Sequence, residues 1–288
     1  MESNYSILAN FFINDNETLL RMKDSLSSFK NSKSKLWIIN IRGDYKKQAS
    51  KFILDTLSIN CKISFYDYGD WQKETKILLK SITTKYILIW IEDHILQKDS
   101  SVLDKVVKEM QENKSDILLY TFFCFGYHKK VYDFLNFKSL IKNNNINTFQ
   151  LNISSYSKIY EIKDEFEFIN LYTTFLPSIF SKKLFTKLLN RRYFKTKNIW
   201  APLYIEKPPF SIRYFPFNMS YLNEELFASI DDDRGIKNYS LINRKEYPKR
   251  WEVKFHSSNY SLKKGLIEKS FLPEKLKHLL YMLKNLLH

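Results

Sequence analysis

The chain has 288 residues, of which 44% are hydrophobic and 16% aromatic, so it can bury a sizeable core, and general intrinsic disorder is excluded. Its five glycines form neither a GxGxxG nor a GxxxxGK(S/T) pattern, which excludes a glycine-rich phosphate loop. Two cysteines, Cys61 and Cys124, are too few for a disulfide framework or a zinc cluster.

The formal net charge of +15 is concentrated toward the C-terminus. From Lys237 to His288 there are 12 Lys or Arg against 4 Asp or Glu, a net charge of +8. Such an excess indicates either compositional drift toward Lys or an anionic partner. The sequence shows no secretory signal and no apolar run of the roughly 20 residues that span a bilayer. We therefore expect a cytoplasmic protein, with a location at the inner face of the cytoplasmic membrane left open.

Short apolar runs alternate with amphipathic segments over the first 125 residues. The apolar runs predict strands at Tyr5–Ile13, Leu36–Ile41, Cys61–Tyr66, Lys85–Ile91 and Asp116–Phe123. The amphipathic segments predict helices at Glu17–Phe29, Tyr45–Leu57, Asp70–Ser81 and Val102–Glu112, and Asp15 or Asn16 is the predicted N-cap of the first. Repeated βα units indicate an α/β fold with a doubly wound, mostly parallel sheet, whose ligand site lies at the carboxyl ends of its strands.

The second half is less regular. Its pattern predicts an extended segment at Pro177–Phe180, helices at Lys182–Asn190 and Asn223–Ile230, and an aromatic, proline-rich loop at Thr196–Phe217. A stripe of leucines follows Pro273 and predicts a C-terminal amphipathic helix. That helix either packs on the protein or lies on an anionic leaflet. Vesicle binding after deletion of residues 273–288 separates the two.

Two carboxylates and an imidazole, Glu92-Asp93-His94, directly follow the apolar run KYILIWI. In a parallel sheet this position is the edge where ligands bind. Carboxylate oxygens suit Mg²⁺ or Mn²⁺, and imidazole is acceptable to Mn²⁺. The alternative is an ordinary polar exit from a buried strand, with Glu92 or Asp93 capping the next turn.

The order of these elements resembles family 2 and related GT-A glycosyltransferases. Asn16-Glu17-Thr-Leu19-Leu20, followed by Leu26-Ser27-Ser28-Phe29, is similar to the family's first helix, and Tyr86 to His94 is similar to its strand and DXD metal motif. Glu92 and His94 replace the usual first and last Asp. The resemblance covers roughly residues 5–125 and, more loosely, 170–235, and implies a GT-A-like catalytic domain, which we place at residues 1–240; the charge and the leucine stripe predict a basic C-terminal helical extension over 241–288. Within that domain, residues 1–125 would form the nucleotide-sugar-binding half and 126–240 the acceptor half.

The resemblance also implies roles for individual acids. Asp93 and His94 would hold the metal, and Glu92 would assist them. Asp15, Asp44, Asp67 and Asp70 follow the first three strands and would face the nucleotide, although Asp15 and Asp44 are equally suited to capping. Candidates for the catalytic carboxylates are Glu206, Asp231 and Asp232, for which the alternatives are a surface Glu–Lys pair and a solvated loop.

The resemblance implies a hexosyltransferase of the inverting type, with Glu206 as its base, although the sequence itself leaves retention open. The enzyme would transfer a sugar from a nucleotide-diphosphate donor, expected to be UDP-linked, to a saccharide or lipid-linked glycan acceptor of envelope polysaccharide biosynthesis. The transfer would need Mn²⁺ or Mg²⁺. No nucleic-acid partner is expected. Two alternatives stay open. One is a basic nucleic-acid-binding module, and the other is a catalytically inactive GT-A-like scaffold.

Overall fold

The computed structural model describes residues 4–29, 35–57, 60–66, 71–120, 140–155, 174–190, 214–230 and 240–247. The predicted loop over residues 196–213 and the predicted C-terminal helix lie outside these ranges, as does most of the extension 241–288. The described helices are α1 (Asn16–Ser27), α2 (Lys46–Leu57), α3 (Trp71–Leu79), α4 (Ser101–Glu112) and α5 (Lys182–Leu189).

Eleven strands are described. They are β1 (Tyr5–Phe12), β2 (Trp37–Arg42), β3 (Cys61–Phe65), β4 (Tyr86–Ile91), β5 (His94–Leu96), β6 (Ile117–Tyr120), β7 (Ile141–Lys142), β8 (Ile146–Leu151), β9 (Thr174–Ser181), β10 (Phe217–Leu222) and β11 (Phe227–Ser229). All the strands and helices predicted in the first 125 residues are confirmed, with described ends that differ by two residues or fewer, and residues 121–123 of the last predicted strand lie outside the described ranges. Asp15 is the N-cap of α1, which confirms the first of the two residues predicted for that position, Asp15 and Asn16.

Nine of the strands form one mixed sheet in the order β3-β2-β1-β4-β9-β6-β10-β8-β7. β3, β2, β1 and β4 are mutually parallel, and β9 runs antiparallel between β4 and β6. Helices α1, α2 and α4 pack on one face, and α3 and α5 pack on the other. The doubly wound, mostly parallel α/β sheet expected from the sequence is therefore confirmed.

Strand β4 lies near the centre of this sheet, and residues 86 to 90 are fully buried. Its continuous apolar sequence is explained by the helices on both faces: Ile87 and Ile89 face the α3–α5 layer, and Leu88 and Trp90 face the α1–α2–α4 layer. Because both faces are covered, the chain has its first access to solvent where β4 ends, at Ile91 and Glu92.

The prediction of a helix at residues 223 to 230 is wrong. Phe227–Ser229 form β11, which pairs antiparallel with β5 as a second, two-stranded sheet. Leu226, Phe227 and Ile230 have helical spacing, but Ala228 and Ser229 between them are also buried. Residues 226 to 230 are all buried, so a helix over this stretch would have no side left to face solvent. Pairing with His94–Leu96 satisfies the backbone instead and overrides the local pattern.

Candidate active site

The strand order creates a topological switch point between β1 and β4. From β1 the chain proceeds outward through β2 and β3 on one side, and then crosses to β4 on the other side of β1. Loops that leave β1 and β4 therefore diverge in opposite directions and open a crevice at the carboxyl ends, which is where α/β sheets of this kind bind ligands. Asn14-Asp15 leave β1 at this crevice, and Glu92-Asp93-His94 leave β4.

Glu92 lies over the ends of β1 and β2. Its carboxylate accepts hydrogen bonds from the backbone amides of Phe12 and of Glu92 itself, and it is close to the Arg42 guanidinium. Burial, followed by the negative charge of Asp93, raises the pKa of Glu92 to about 8 against an ordinary value of 4.5. The amides and Arg42 oppose that rise without cancelling it. The protonated form of Glu92 is therefore favoured at neutral pH in the absence of a cation.

The pKa of Asp93 is shifted in the opposite direction. Burial by itself would raise its pKa, but His94 and the Arg21 guanidinium stabilise the carboxylate and hold the pKa of Asp93 below its usual range. The Asp93 Oδ1 lies 2.6 Å from the His94 Nδ1, and the Asp93 side chain is 38% exposed. The crevice thus presents one ionised, partly exposed carboxylate, beside a second carboxylate whose pKa is raised.

His94 is fixed behind Asp93 by the packing of β4 and β5. Its side chain is 4% exposed, and its ring meets the Trp90 ring edge to face at 6.3 Å. Trp90 in turn contacts Phe29 and Phe227 and donates its indole N–H to Ser25 at 2.8 Å. The backbone amide of Ile230 donates to the Asp93 carbonyl at 2.7 Å. These contacts hold the Asp93–His94 pair on rigid elements, as a binding site requires.

The chemistry of this pair fits a divalent cation that is shared with a ligand. Carboxylate and imidazole are donor types that Mg²⁺ or Mn²⁺ accepts, so Asp93 and His94, whose side chains lie 2.6 Å apart, would be the residues to hold such an ion. Among the residues that the structure describes, no group of three or more His, Cys, Asp or Glu converges on one point.

Three side chains at this edge were not predicted from the sequence: Phe12, Arg42 and Tyr66. The Arg42 guanidinium stacks over the Phe12 ring at 4.1 Å, and Phe12 is 40% exposed. Tyr66 lies close to Arg42, and burial above all raises the pKa of Tyr66 to about 12, so it stays a neutral phenol. The signal for Arg42 was present, because it follows the apolar strand WIINI as Glu92 follows YILIWI.

Asp15 and Asp44 are both exposed at the carboxyl edge. Asp44 follows Gly43, whose φ of +103° and 2.3 Å spacing between an added Cβ and the Ile13 carbonyl leave room only for glycine. Asp15 forms a capping box: its Oδ1 accepts from the Thr18 amide at 2.8 Å, and the Thr18 hydroxyl lies 3.2 Å from the Asp15 amide. Asp15 therefore has a structural role in α1, and contact with a nucleotide remains a proposal.

Asp15→Ala is expected to lower the free energy of unfolding by about 1 kcal/mol, because it removes the N-cap of α1. Asp15→Asn keeps a capping oxygen and should retain the stability of the unchanged protein. Urea denaturation of both variants measures the effect. An equal loss in the Asn variant would mean that the negative charge, and not the cap, stabilises this position.

Five of the acids singled out in the sequence lie outside the described residues: Asp67, Asp70, Glu206, Asp231 and Asp232. The described segment 214–230 ends directly before Asp231, at a residue that is bound to the site. Ile230, which directly precedes Asp231, is the residue whose amide binds the Asp93 carbonyl.

Comparison with known proteins gives no match to a family model and no match among curated proteins. Among solved structures, the chain is similar to the TarS 1-349 fragment of S. aureus in complex with UDP-GlcNAc, with 15% identity and a TM-score of 0.47 over 78% of this chain and 57% of that one. It is also similar to the Pyrobaculum calidifontis mannosyltransferase PcManGT in complex with GDP-Man and Mn²⁺, with 9% identity and a TM-score of 0.41 over 65% of this chain and 47% of that one.

A cytidylyltransferase from Leptospira borgpetersenii is a further match, with 14% identity and a TM-score of 0.40 over 71% of this chain and 68% of that one. The chain spans only 36% of the S. aureus TarS chain and 57% to 59% of the TarS fragments. These proteins differ in activity, so the likeness of fold does not decide between their activities.

Among the described helices, none combines the length and the hydropathy needed to cross a bilayer.

Proposed function

We propose that this protein is a glycosyltransferase that transfers a sugar from a nucleotide-diphosphate donor to a saccharide or lipid-linked glycan acceptor, with the assistance of a divalent cation. One observation carries the proposal. An ionised, partly exposed carboxylate, Asp93, lies at the carboxyl end of the central strand β4 beside the switch point of the sheet. The order of elements that resembles GT-A glycosyltransferases agrees with this position.

Asp93 and His94 are the proposed cation ligands, and Glu92, which does not converge with them on one point, would assist through a water molecule. When bound, Mn²⁺ or Mg²⁺ would neutralise the negative charge that develops on the departing diphosphate. The chain supplies further positive charge through Arg21 near Asp93 and Arg42 near Glu92. These two guanidinium groups keep the crevice from being purely acidic, so an anionic donor is not repelled from it.

The nucleoside would lie over the ends of β1 and β2. There the exposed ring of Phe12 and the Arg42 guanidinium stacked on it offer flat surfaces to a base. Asp15 and Asp44 at the same edge, and Asp67 and Asp70 after β3, are proposed to contact the nucleoside. UDP is the first nucleotide to test, and a uracil ring would fit beside these groups through stacking and hydrogen bonds.

The proposed reaction inverts the anomeric centre, and a carboxylate removes the proton of the acceptor hydroxyl as the new glycosidic bond forms. Glu206 is the first candidate for that base. Asp231 and Asp232 are the second, supported by the Ile230–Asp93 hydrogen bond that brings the chain directly before Asp231 to the metal motif. The proposed acceptor belongs to envelope polysaccharide biosynthesis and is glycosylated at the inner face of the cytoplasmic membrane.

Thermal shift measurements with UDP-, GDP- and CDP-sugars, each with and without Mn²⁺, test this function. A ligand present at about 100 times its Kd is expected to raise the melting temperature by about 5–10 °C, and Mn²⁺ should be required for the full shift. Steeply salt-dependent binding of a generic oligonucleotide, without any nucleotide-sugar shift, would favour the nucleic-acid-binding alternative. A shift without donor hydrolysis would favour the inactive scaffold.

A further inference from the structure

A basic groove lies on the face of the sheet opposite α1, α2 and α4. It runs between α3 and α5, has a volume of about 670 Å³, and is distinct from the crevice that holds Asp93. Four of its lining residues are Lys73, Lys76, Lys80 and Lys182, and none of the lining residues that the structure describes is acidic. The groove therefore attracts anions.

The groove is held open by two antiparallel helices. α3 starts at the carboxyl edge of the sheet, whereas α5 starts at the opposite edge, where Ser181 pairs with Tyr86. Near the carboxyl edge, the Gln72 side chain donates to the Leu189 carbonyl at 2.5 Å and joins the two helices. At the other end, the Lys182 ammonium donates to the Ile82 carbonyl. Since both ends are tied by hydrogen bonds, the groove is a fixed feature of the fold.

The two helices carry more positive charge than the groove lining alone. Lys183 and Lys187 are exposed on α5, so residues 71–80 and 182–190 together contain six lysines. Glu74 is the one acid in these two segments, and its carboxylate lies 3.4 Å from the Ser64 hydroxyl. The surface formed by α3 and α5 thus has a local net charge of +5.

The groove also carries apolar surface. Ile77 is 51% exposed in the middle of the lysines of α3, whereas the other two apolar lining residues, Leu79 and Leu189, are buried at the floor of the groove. A free phosphate or a fully polar polyanion would satisfy the ammonium groups but would leave Ile77 in water. A phospholipid supplies a phosphate for the lysines and glycerol and acyl carbons for the apolar residues.

We propose that the α3–α5 groove is an anionic-membrane docking site, in which Lys73, Lys76 and Lys80 bind lipid phosphates and Ile77 inserts among the headgroups. Clusters of four to eight lysines on an amphipathic surface bind anionic leaflets in this way. The carboxyl edge with Asp93 would then stand beside the bilayer surface and not against it. This inference concerns a different face from the proposed catalytic crevice and does not depend on glycosyl transfer.

Vesicle flotation of the full chain tests the proposal. We expect binding to vesicles of phosphatidylcholine with 30% phosphatidylglycerol, and no binding to phosphatidylcholine alone. Lys73→Gln/Lys76→Gln/Lys80→Gln should weaken the anionic-vesicle partition coefficient by about 50- to 100-fold at low salt. The matched control Lys47→Gln/Lys51→Gln/Lys105→Gln removes the same charge from exposed positions on α2 and α4, on the opposite face, and should weaken it by less than threefold.

Ile77→Ser provides a second variant that leaves the charge unchanged, and it should weaken vesicle binding several-fold. Thermal melts of all variants show that they are folded, and binding of long-chain inorganic polyphosphate is measured in parallel. Equal losses in the two lysine triples, or no vesicle binding by the unchanged protein, would overturn the proposal. So would a groove triple that loses polyphosphate but keeps vesicles, since the occupant would then be a soluble polyanion.

Discussion

Asp93→Ala is expected to lower the rate of sugar transfer, or of donor hydrolysis, by about 10²–10³-fold, and a thermal melt must show that the variant is folded because it also takes the Asp93 carboxylate away from the buried His94. Asp93 is the ionised carboxylate of the crevice, and the loss of a cation that stabilises a leaving group costs several kcal/mol of transition-state stabilisation. Asp93→Asn keeps the size of the side chain and should lose nearly as much activity, because a neutral amide is a weak ligand for Mn²⁺. Initial rates at saturating Mn²⁺ and donor provide the measurement.

Asp55→Ala is the matched control, since Asp55 is an exposed aspartate on α2. It should retain full activity. His94→Ala is expected to act in the same direction as Asp93→Ala, but it also opens a cavity beside Trp90 and needs a thermal melt to confirm folding. Activity within threefold of the unchanged protein in both Asp93 variants would remove Asp93 from the reaction.

The second large effect is on the pH dependence of stability. The folded protein binds the Glu92 proton more tightly than the unfolded chain does, because burial and Asp93 raise the pKa of Glu92. The stabilisation from that proton is complete below the ordinary pKa of 4.5 and is lost as pH rises toward about 8. Glu92→Gln cannot ionise, so it should raise the melting temperature of the metal-free protein at pH 8.5 by about 2–4 °C and leave it unchanged at pH 4.5.

Mn²⁺ should favour the ionised form of Glu92 over the protonated form. A cation held by Asp93 and His94 would lie near Glu92 and favour its ionised form, so Mn²⁺ affinity should increase from pH 6 to pH 8.5 in the unchanged protein. In Glu92→Gln that increase should be smaller. Glu112→Gln removes an exposed carboxylate at the end of α4 and should show neither effect. A metal-free Glu92→Gln melt that parallels that of the unchanged protein at every pH would contradict the assignment.

The parallel half of the sheet was predictable because its elements obey local rules. The run from Tyr86 to Ile91 is apolar along its whole length because helices cover both faces, and the Asp15–Thr18 capping box marks the start of α1. The strand at Phe227–Ser229 was not predictable in this way. Its partner, His94–Leu96, is more than 130 residues away, and the leucine and isoleucine spacing around it is equally helical.

Of the candidate site, only the residues that directly follow apolar strands could be predicted from the sequence. Glu92, Asp93 and His94 follow an apolar strand, and that position placed them at the carboxyl edge. The 2.6 Å pairing of Asp93 with His94 depends on the aromatic packing of Trp90 against Phe29 and Phe227, which come from three separate elements. The stacking of Arg42 on Phe12 joins neighbouring strands, and nothing in the local sequence around either residue indicates that contact.

The most direct test of the central claim is an electron paramagnetic resonance titration of Mn²⁺ in the presence and absence of UDP. Free Mn²⁺ gives a six-line signal that is lost when the ion binds. In the unchanged protein, UDP should tighten Mn²⁺ binding at least tenfold, and Asp93→Ala should abolish that gain. Mn²⁺ binding that is indifferent to UDP, or identical in the Asp93→Ala variant, would contradict a cation held between Asp93 and a donor diphosphate.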